Sequence, residues 1–240
     1  MNIKKESAIQ NVISHFEDYA NLILSQLQIL EKVISSGSLI VAEDLLKELN
    51  INEDKSDKFE IKLSEKIVNT IVLQKPVASD LRKLMACYQI VINLERIGDL
   101  VIDIVKFIQR IKENETYNRM SEVIYNMLLV SVNMVQKAIL SFINNDKEFA
   151  IWAIQNDEVV DEMNHKLIRK AIAKSKLPDE TQQLLFSFIH INSIISSIER
   201  IADHATNVAE ASIYSMEGTD IRHHNLENES NDKLSDENVS

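Results

Sequence analysis

The chain has 240 residues and a formal net charge of −11, with 45% hydrophobic residues, three glycines and two prolines. The net negative charge argues against nucleic-acid binding, which needs basic patches to neutralise phosphates, so no nucleic-acid partner is expected. So few helix-breaking residues in such an apolar chain favour long helices over sheets.

The cellular location is predicted from three features of the sequence. The single cysteine, Cys87, cannot form an internal disulfide, which is typical of a reducing compartment. No continuous apolar run approaches the ~18 residues of a membrane span. The first residues, MNIKKESAIQNV, lack the apolar region of a secretory signal. We therefore expect a cytoplasmic protein that associates with membranes only through its partners.

Three helices are predicted in the first half, over about residues 7–36, 38–75 and 77–112. Gly37 ends the first, and Pro76 separates the second from the third because proline cannot continue the helical hydrogen-bond ladder. Short turns between long helices force neighbouring helices to run antiparallel. Residues 1–112 are therefore expected to form an antiparallel three-helix bundle.

The second half repeats this plan, with helices predicted over about residues 121–143, 147–176 and 180–215. The two halves align without a gap from Glu53 to Asp103 at an offset of 104 residues. A repeat of that length indicates a duplicated domain. The predicted fold is all-α, with two pseudo-symmetric antiparallel three-helix bundles in residues 1–112 and 113–216. Residues 217–240 carry seven acids against two basic residues and are expected to form a disordered acidic tail.

Four pairs of acids spaced four residues apart stand at matching positions of the two halves. They are Glu53 with Asp57, Glu95 with Asp99, Asp157 with Asp161, and Glu199 with Asp203. With 37 acids in the chain, chance alone gives about six such pairs, so it is the fixed offset that distinguishes these four.

Each pair lies on one helix face, and like charges at this spacing destabilise a helix by about 0.2–0.5 kcal/mol. A bound cation is the simplest compensation. Where two such helices pack together, four carboxylates per bundle form an oxygen-rich site that suits iron, manganese, magnesium or calcium. Zinc remains possible with a histidine, for which His165 and His204 are candidates. Arg96 and Arg200, beside the acids, are expected to neutralise carboxylates.

Four motifs resemble the PhoU family of phosphate-uptake regulators, and the resemblance covers nearly all of residues 1–216. They are QKPVASDLRKL at 74–84, LERIGD at 94–99, IERIADHATNVAE at 198–210 and EGTDIRHH at 217–224. The resemblance implies multinuclear clusters of iron or zinc held by the four acid pairs. Two features depart from the family: Leu100 replaces a histidine that often follows the LERIGD motif, and Glu53 and Asp57 lie in an unusually polar setting.

Family members act as negative regulators, without known catalysis. The resemblance implies an adaptor between the ATPase subunit of a phosphate ABC transporter and a phosphate-responsive sensor histidine kinase, and we expect a homodimer. Two alternatives stay open. The chain could be a metal-free helical scaffold with solvated acids, or a carboxylate-bridged iron enzyme or storage protein. The latter class needs Glu-x-x-His motifs repeated on facing helices, and no such repeat is present.

Overall fold

Long helices make up the computed structural model, which describes residues 3–164 and 181–221. They are α1 (Ile3–Ser35), α2 (Glu43–Gln74), α3 (Ser79–Arg110), α4 (Asn114–Asn144), α5 (Lys147–Gln155), α6, described over residues 157–164, and α7 (Thr181–Glu217). No strand occurs in these two ranges. The predicted all-α fold is confirmed. Residues 222–240 of the predicted acidic tail, which include His223 and His224, lie outside the described residues.

The turns between helices follow from local side-chain chemistry. Lys75 ends α2 in the left-handed conformation, with φ 45°, and Pro76 follows it. Asn145 does the same after α4, with φ 54°. Asp146 then caps α5 by accepting a hydrogen bond from the backbone N–H of Phe149. Asparagine tolerates the left-handed conformation, and the short Asp146 carboxylate satisfies a free N–H group at the helix start.

The start of the fourth helix was predicted too late. The helix begins at Asn114 because the Glu113 carboxylate accepts hydrogen bonds from the backbone N–H groups of Glu115, at 3.0 Å, and Thr116, at 2.6 Å. These bonds lower the pKa of Glu113. Glutamate is not a common N-cap residue, so sequence patterns do not reveal this start.

The predicted continuous helix from 147 onward is wrong, because the chain breaks at Asn156. The Asn156 side-chain amide donates to the Trp152 carbonyl at 2.8 Å, and its backbone N–H bonds to the carbonyls of Trp152 and Ala153. These contacts end α5, and α6 restarts at Asp157. The remainder of the predicted helix, from residue 165, lies outside the described residues.

The two halves are joined through one continuous apolar core. Helix α1 packs on α2 and α3, and α4 packs on α5 and α7, while α3 packs against α7 and α1 against α4 across the junction. Phe16 of α1 and Phe142 of α4 meet edge to face, with ring centroids 5.0 Å apart. The duplicated helices thus form pseudo-symmetric halves that share a single core.

Two helices reach the length and hydropathy of membrane spans. The mean hydropathy of an 18-residue window is 1.5 in α4 and 1.2 in the Leu184–Glu217 part of α7. Both helices contribute fully buried side chains to the shared core, including Met127, Leu128, Ile194 and Ile198. These buried side chains contribute to the apolar character of both helices.

Replacing Phe142 by alanine should destabilise both halves together. The buried ring joins α1 to α4, so Phe142→Ala is expected to lower the free energy of unfolding by about 3–5 kcal/mol. Urea unfolding followed by Trp152 fluorescence and by far-UV circular dichroism measures this loss and should give coincident transitions. Phe186→Ala, at a ring that is 52% exposed, is the control and should change stability by less than about 0.5 kcal/mol. Two separate transitions would contradict the shared core.

Candidate metal centres

Five carboxylates gather where α2 packs on α3. Glu53, Asp57 and Glu60 share one face of α2, and Glu95 and Asp99 share one face of α3; we call these five residues the first acidic cluster. Mutual electrostatic interactions link Glu53 to Asp57 and Asp99, and Glu95 to Asp57, Glu60 and Asp99. The structure therefore brings together the two acid pairs of the first half.

Partial burial disfavours the charged form of carboxylates in this cluster. Burial, together with Asp99 and Asp57, raises the pKa of Glu53 to about 7 despite a hydrogen bond from Gln26 at 3.1 Å that lowers it. Burial also raises the pKa of Glu95, with repulsion from Asp99 adding to it. Desolvation and like charge act in the same direction on a carboxyl group. A cation placed among these oxygens would relieve both effects.

Arg96 partly neutralises the first acidic cluster, as predicted. Its Nε lies 3.3 Å from Glu95 Oε2, and its Nη1 lies 3.1 Å from Asp99 Oδ2. The Arg96 side chain is 55% exposed, so these ion pairs are weak and a metal ion can displace them.

The second acidic cluster, at the start of α6 and along α7, consists of Asp157, Asp161, Glu199 and Asp203. Burial, together with the charges of Asp203, Asp161 and Glu199, raises the pKa of Asp157 to about 6. The pKa of Asp203 is raised by burial and by Asp161, and Arg200 opposes it. The structure thus also brings together the two acid pairs of the second half.

A buried oxygen beside the second acidic cluster lacks a donor. Asn164 Nδ2 donates to Glu199 Oε2. Within the described residues, Asn164 Oδ1 is buried without a hydrogen-bond partner, whereas Asp157 has the Thr206 hydroxyl beside it, which lowers its pKa by hydrogen bonding. Buried oxygens are rarely left unpaired, so a cation coordinated by Asn164 Oδ1 would fit this environment.

The oxygen donors suit a hard metal ion, but the side chains do not converge on one point. In residues 3–164 and 181–221, no three carboxylate, imidazole or thiolate groups converge closely enough to hold a metal. The helices supply oxygen donors on facing surfaces, and binding requires side-chain rotation to bring them together. This fits oxygen-preferring ions better than a soft metal.

Comparison with known proteins identifies the family. A family model described as the PhoU domain matches residues 10–108 and, a second time, residues 124–212. This chain belongs to the PhoU family. A Pseudomonas aeruginosa relative named as a phosphate-specific transport system accessory protein PhoU homolog is 30% identical over 229 residues, covering 92% of this chain and 93% of the relative. A Burkholderia protein of the same name is 33% identical over 174 residues, covering 72% and 73%.

Solved PhoU structures share the fold. The crystal structure of PhoU from Pseudomonas aeruginosa matches with a TM-score of 0.72 and 23% identity, covering 89% of this chain and 99% of the other. The phosphate transport system regulatory protein PhoU from Streptococcus pneumoniae matches with a TM-score of 0.78 and 20% identity, covering 90% and 98%. The two PhoU domains agree with the internal duplication predicted from the sequence.

His204, one of the two candidate histidines of this PhoU-family chain, contacts α3 through Asn93. His204 Nδ1 lies 2.9 Å from Asn93 Oδ1 on α3, across the contact between the two PhoU domains. Burial lowers the pKa of His204, and Arg200 and Arg96 lower it further. This imidazole therefore joins α7 to α3 in the described arrangement. His165, the other predicted ligand, lies outside the described residues.

Sequence reasoning missed four side chains around the acids: Gln26, Glu60, Asn164 and Thr206. Glu60 and Asn164 stand 104 residues apart, so the offset that identified the acid pairs also contained this position. Thr206 lies three residues after Asp203 on α7, and its side-chain hydrogen bond lowers the pKa of Asp157. Gln26 comes from α1, where the offset of 104 does not hold, and only the packed structure reveals it.

Glu53 and Asp157 should add stability to the metal-free protein as the pH falls from about 8 to about 5.5. Their pKa values lie above those of the unfolded chain, near 4, so these two groups bind more protons in the folded state across this window. Their contribution therefore decreases as the pH rises through about 6 to 7, while His204, whose pKa is lowered, contributes with the opposite sign. Urea midpoints of chelator-treated protein at several pH values measure this slope.

Glu53→Gln should flatten that slope and stabilise the metal-free protein at pH 8, because the neutral amide removes the repulsion with Asp99. Glu48→Gln, at an exposed position of the same helix, is the matched control and should retain the wild-type slope. Equal slopes in both variants would contradict the assigned electrostatics of the first acidic cluster.

Proposed function

We propose that this protein is a negative regulator of phosphate uptake and of phosphate-starvation signalling. It acts as an adaptor that links the ATPase subunit of a phosphate ABC transporter to a phosphate-responsive sensor histidine kinase. The single observation that carries this proposal is the doubled PhoU domain in a chain whose relatives are named as accessory proteins of phosphate-specific transport. The adaptor works in the cytoplasm and reaches the membrane through these partners.

The adaptor contains two metal centres, one in each acidic cluster. Glu53, Asp57, Glu95 and Asp99 hold the first, and Asp157, Asp161, Glu199 and Asp203 hold the second. Iron is the expected metal, with zinc as the alternative. A bound ion supplies positive charge where carboxylates repel one another, and it cross-links two helices in each half. The raised pKa values of Glu53 and Asp157 and the unpaired buried oxygen of Asn164 beside the second acidic cluster support these positions.

The role is regulatory, and no catalysis is proposed. Carboxylate-bridged iron enzymes use two Glu-x-x-His motifs within one four-helix core. This chain has a single Glu-x-x-His sequence, from Glu162 to His165, and His165 lies outside the described residues. Oxygen-dependent turnover of ferrous iron by the purified protein would favour the enzyme or storage alternative. The homodimer stays a prediction, which sedimentation equilibrium tests directly.

Replacing one carboxylate in each half should reduce the metal content and the metal-dependent stability. A ligand present at 100 times its dissociation constant stabilises the folded state by about 2.7 kcal/mol, which raises the melting temperature by roughly 5–10 °C in a chain of this size. Asp99→Asn should lose the contribution of the first centre, and Asp203→Asn that of the second. Elemental analysis and thermal unfolding with and without iron or zinc measure both effects.

Asp54→Asn is the control for these two variants, because Asp54 is exposed and lies beside Glu53 on α2. It should bind metal and melt like the wild type. No metal in wild-type protein purified under anaerobic conditions, with no shift on adding iron or zinc, would favour the metal-free scaffold instead.

Metal removal should weaken partner binding if the centres shape the contact surfaces. Immobilised wild-type protein, loaded or chelator-treated, is mixed with the cytoplasmic domain of the sensor kinase and with the transporter ATPase. The loaded protein should capture both, and the chelated protein less. Capture of neither partner would overturn the adaptor proposal. Equal capture by loaded and chelated protein would remove the metal from the mechanism.

A further inference from the structure

A basic cleft lies between α1 and α2 of this otherwise acidic protein. It has a volume of about 780 Å³ and is lined by four lysines of α2, Lys55, Lys58, Lys62 and Lys66, with Glu65 as the acid among its lining residues. Their spacing of three or four residues places the lysines along one helix face. Within the described residues, none of the four forms an ion pair with a carboxylate.

His15 of α1 contacts Lys66, the last of the four lysines along α2. Lys66 Nζ lies 2.9 Å from Nε2 and 3.0 Å from Nδ1 of His15, and His15 Nδ1 lies 2.8 Å from the Asn11 carbonyl oxygen. Burial lowers the pKa of Lys66. Phe59 and Leu73 add apolar surface, and the Leu73 side chain is 73% exposed. The cleft therefore offers positive charge beside apolar area, which matches a peptide that combines carboxylates with apolar side chains.

Helix α7 ends, and the C-terminal segment begins, close to this cleft. Gly218 lies against the side chain of Arg82, which is near the start of α3, and Glu217 pairs with Lys147 at 2.6 Å. An ion pair between Lys5 and Asp80 places the start of α1 beside the start of α3. Only residues 75–78 separate α2 from α3. The exit of the C-terminal segment and the Leu73 end of the cleft thus lie at the same end of the molecule.

We propose that the C-terminal segment 222–240 docks in this cleft and pairs its acids with the lysines of α2. The segment contains the acids Glu227, Glu229, Asp232, Asp236 and Glu237, and the apolar Leu226, Leu234 and Val239. Five acids against Arg222 and Lys233 give it the charge opposite to that of the cleft.

The length of the segment is sufficient for this path. Nineteen residues in extended conformation reach about 60 Å at ~3.3 Å per residue. The path from Arg82 back to Gln74 covers at most about 29 Å, because only eight residues separate them. The helix from Gln74 to Lys55 adds about 28 Å at ~1.5 Å per residue. At these limits Asp232, Asp236 and Glu237 fall within reach of the lysine row, while Glu227 and Glu229 reach the Gln74 end of the cleft.

Docking blocks the cleft to other acidic ligands while the segment is bound. Surface charge pairs of this kind are individually weak and screened by salt. The segment therefore exchanges with a competing acidic peptide when one is present at sufficient concentration. Removing the segment leaves the lysines open to such a peptide.

Zero-length carbodiimide cross-linking of the full-length protein at low salt tests the contact. Peptide mapping should find links between Lys55, Lys58 or Lys62 and an acid of residues 227–237, and these links should decrease in 0.5 M salt. A one-to-one mixture of isotope-labelled and unlabelled protein should show the links within single chains. Links found only between labelled and unlabelled chains, or no links to the cleft lysines, would overturn the proposal.

A binding measurement provides the second test. A fluorescent peptide of residues 222–240 should bind protein truncated after Ile221. The variant Lys58→Gln/Lys62→Gln should weaken this binding about tenfold, as expected from losing two charge pairs at low salt. The matched variant Lys32→Gln/Lys112→Gln changes two exposed lysines that do not line the cleft and should bind like the wild type. Equal affinity of both double variants, with unchanged circular dichroism, would overturn the proposal.

Discussion

Carboxylates of like charge face one another across two helix contacts, and the apolar packing of those helices holds them there. On α2 and α3, the side chains of Leu63, Ile67, Leu94 and Ile97 are almost completely buried. Each contributes about 1.5–3 kcal/mol to folding, whereas a pair of like charges on a helix costs about 0.2–0.5 kcal/mol. The core therefore outweighs the repulsion and keeps Glu53 near Asp99 even without a cation.

The two halves have diverged around this shared constraint. Where the first half has Glu60, the second has Asn164, which donates a hydrogen bond to Glu199. Where the first half has Leu100, buried in the core, the second has His204, bonded to Asn93. The first acidic cluster thus carries five carboxylates and the second four. The two clusters therefore differ in charge.

The sequence predicted those parts of the fold that depend on local signals and on the repeat. Pro76 marks the turn that makes α2 and α3 neighbours, and the offset of 104 residues extends the same pairing to the second half. It could not predict the break at Asn156, because an asparagine inside a helical pattern ends the helix only when its side chain competes for backbone groups. The position of Gln26 beside the acids could not be predicted from the sequence either. Its place beside Glu53 depends on the close approach of α1 to α3 at Gly98, where a Cβ would lie 2.9 Å from Gln26 Oε1.

The contact between α3 and α7 has a consequence for the origin of the chain. These helices are the matched members of the duplication, and Asn93 of the one bonds with His204 and Asn207 of the other. An ancestor with a single repeat would expose this face and would associate through it as a two-fold symmetric pair. Joining the two copies in one polypeptide makes that association independent of protein concentration. It also frees each copy to accept substitutions that a symmetric pair would have to carry twice.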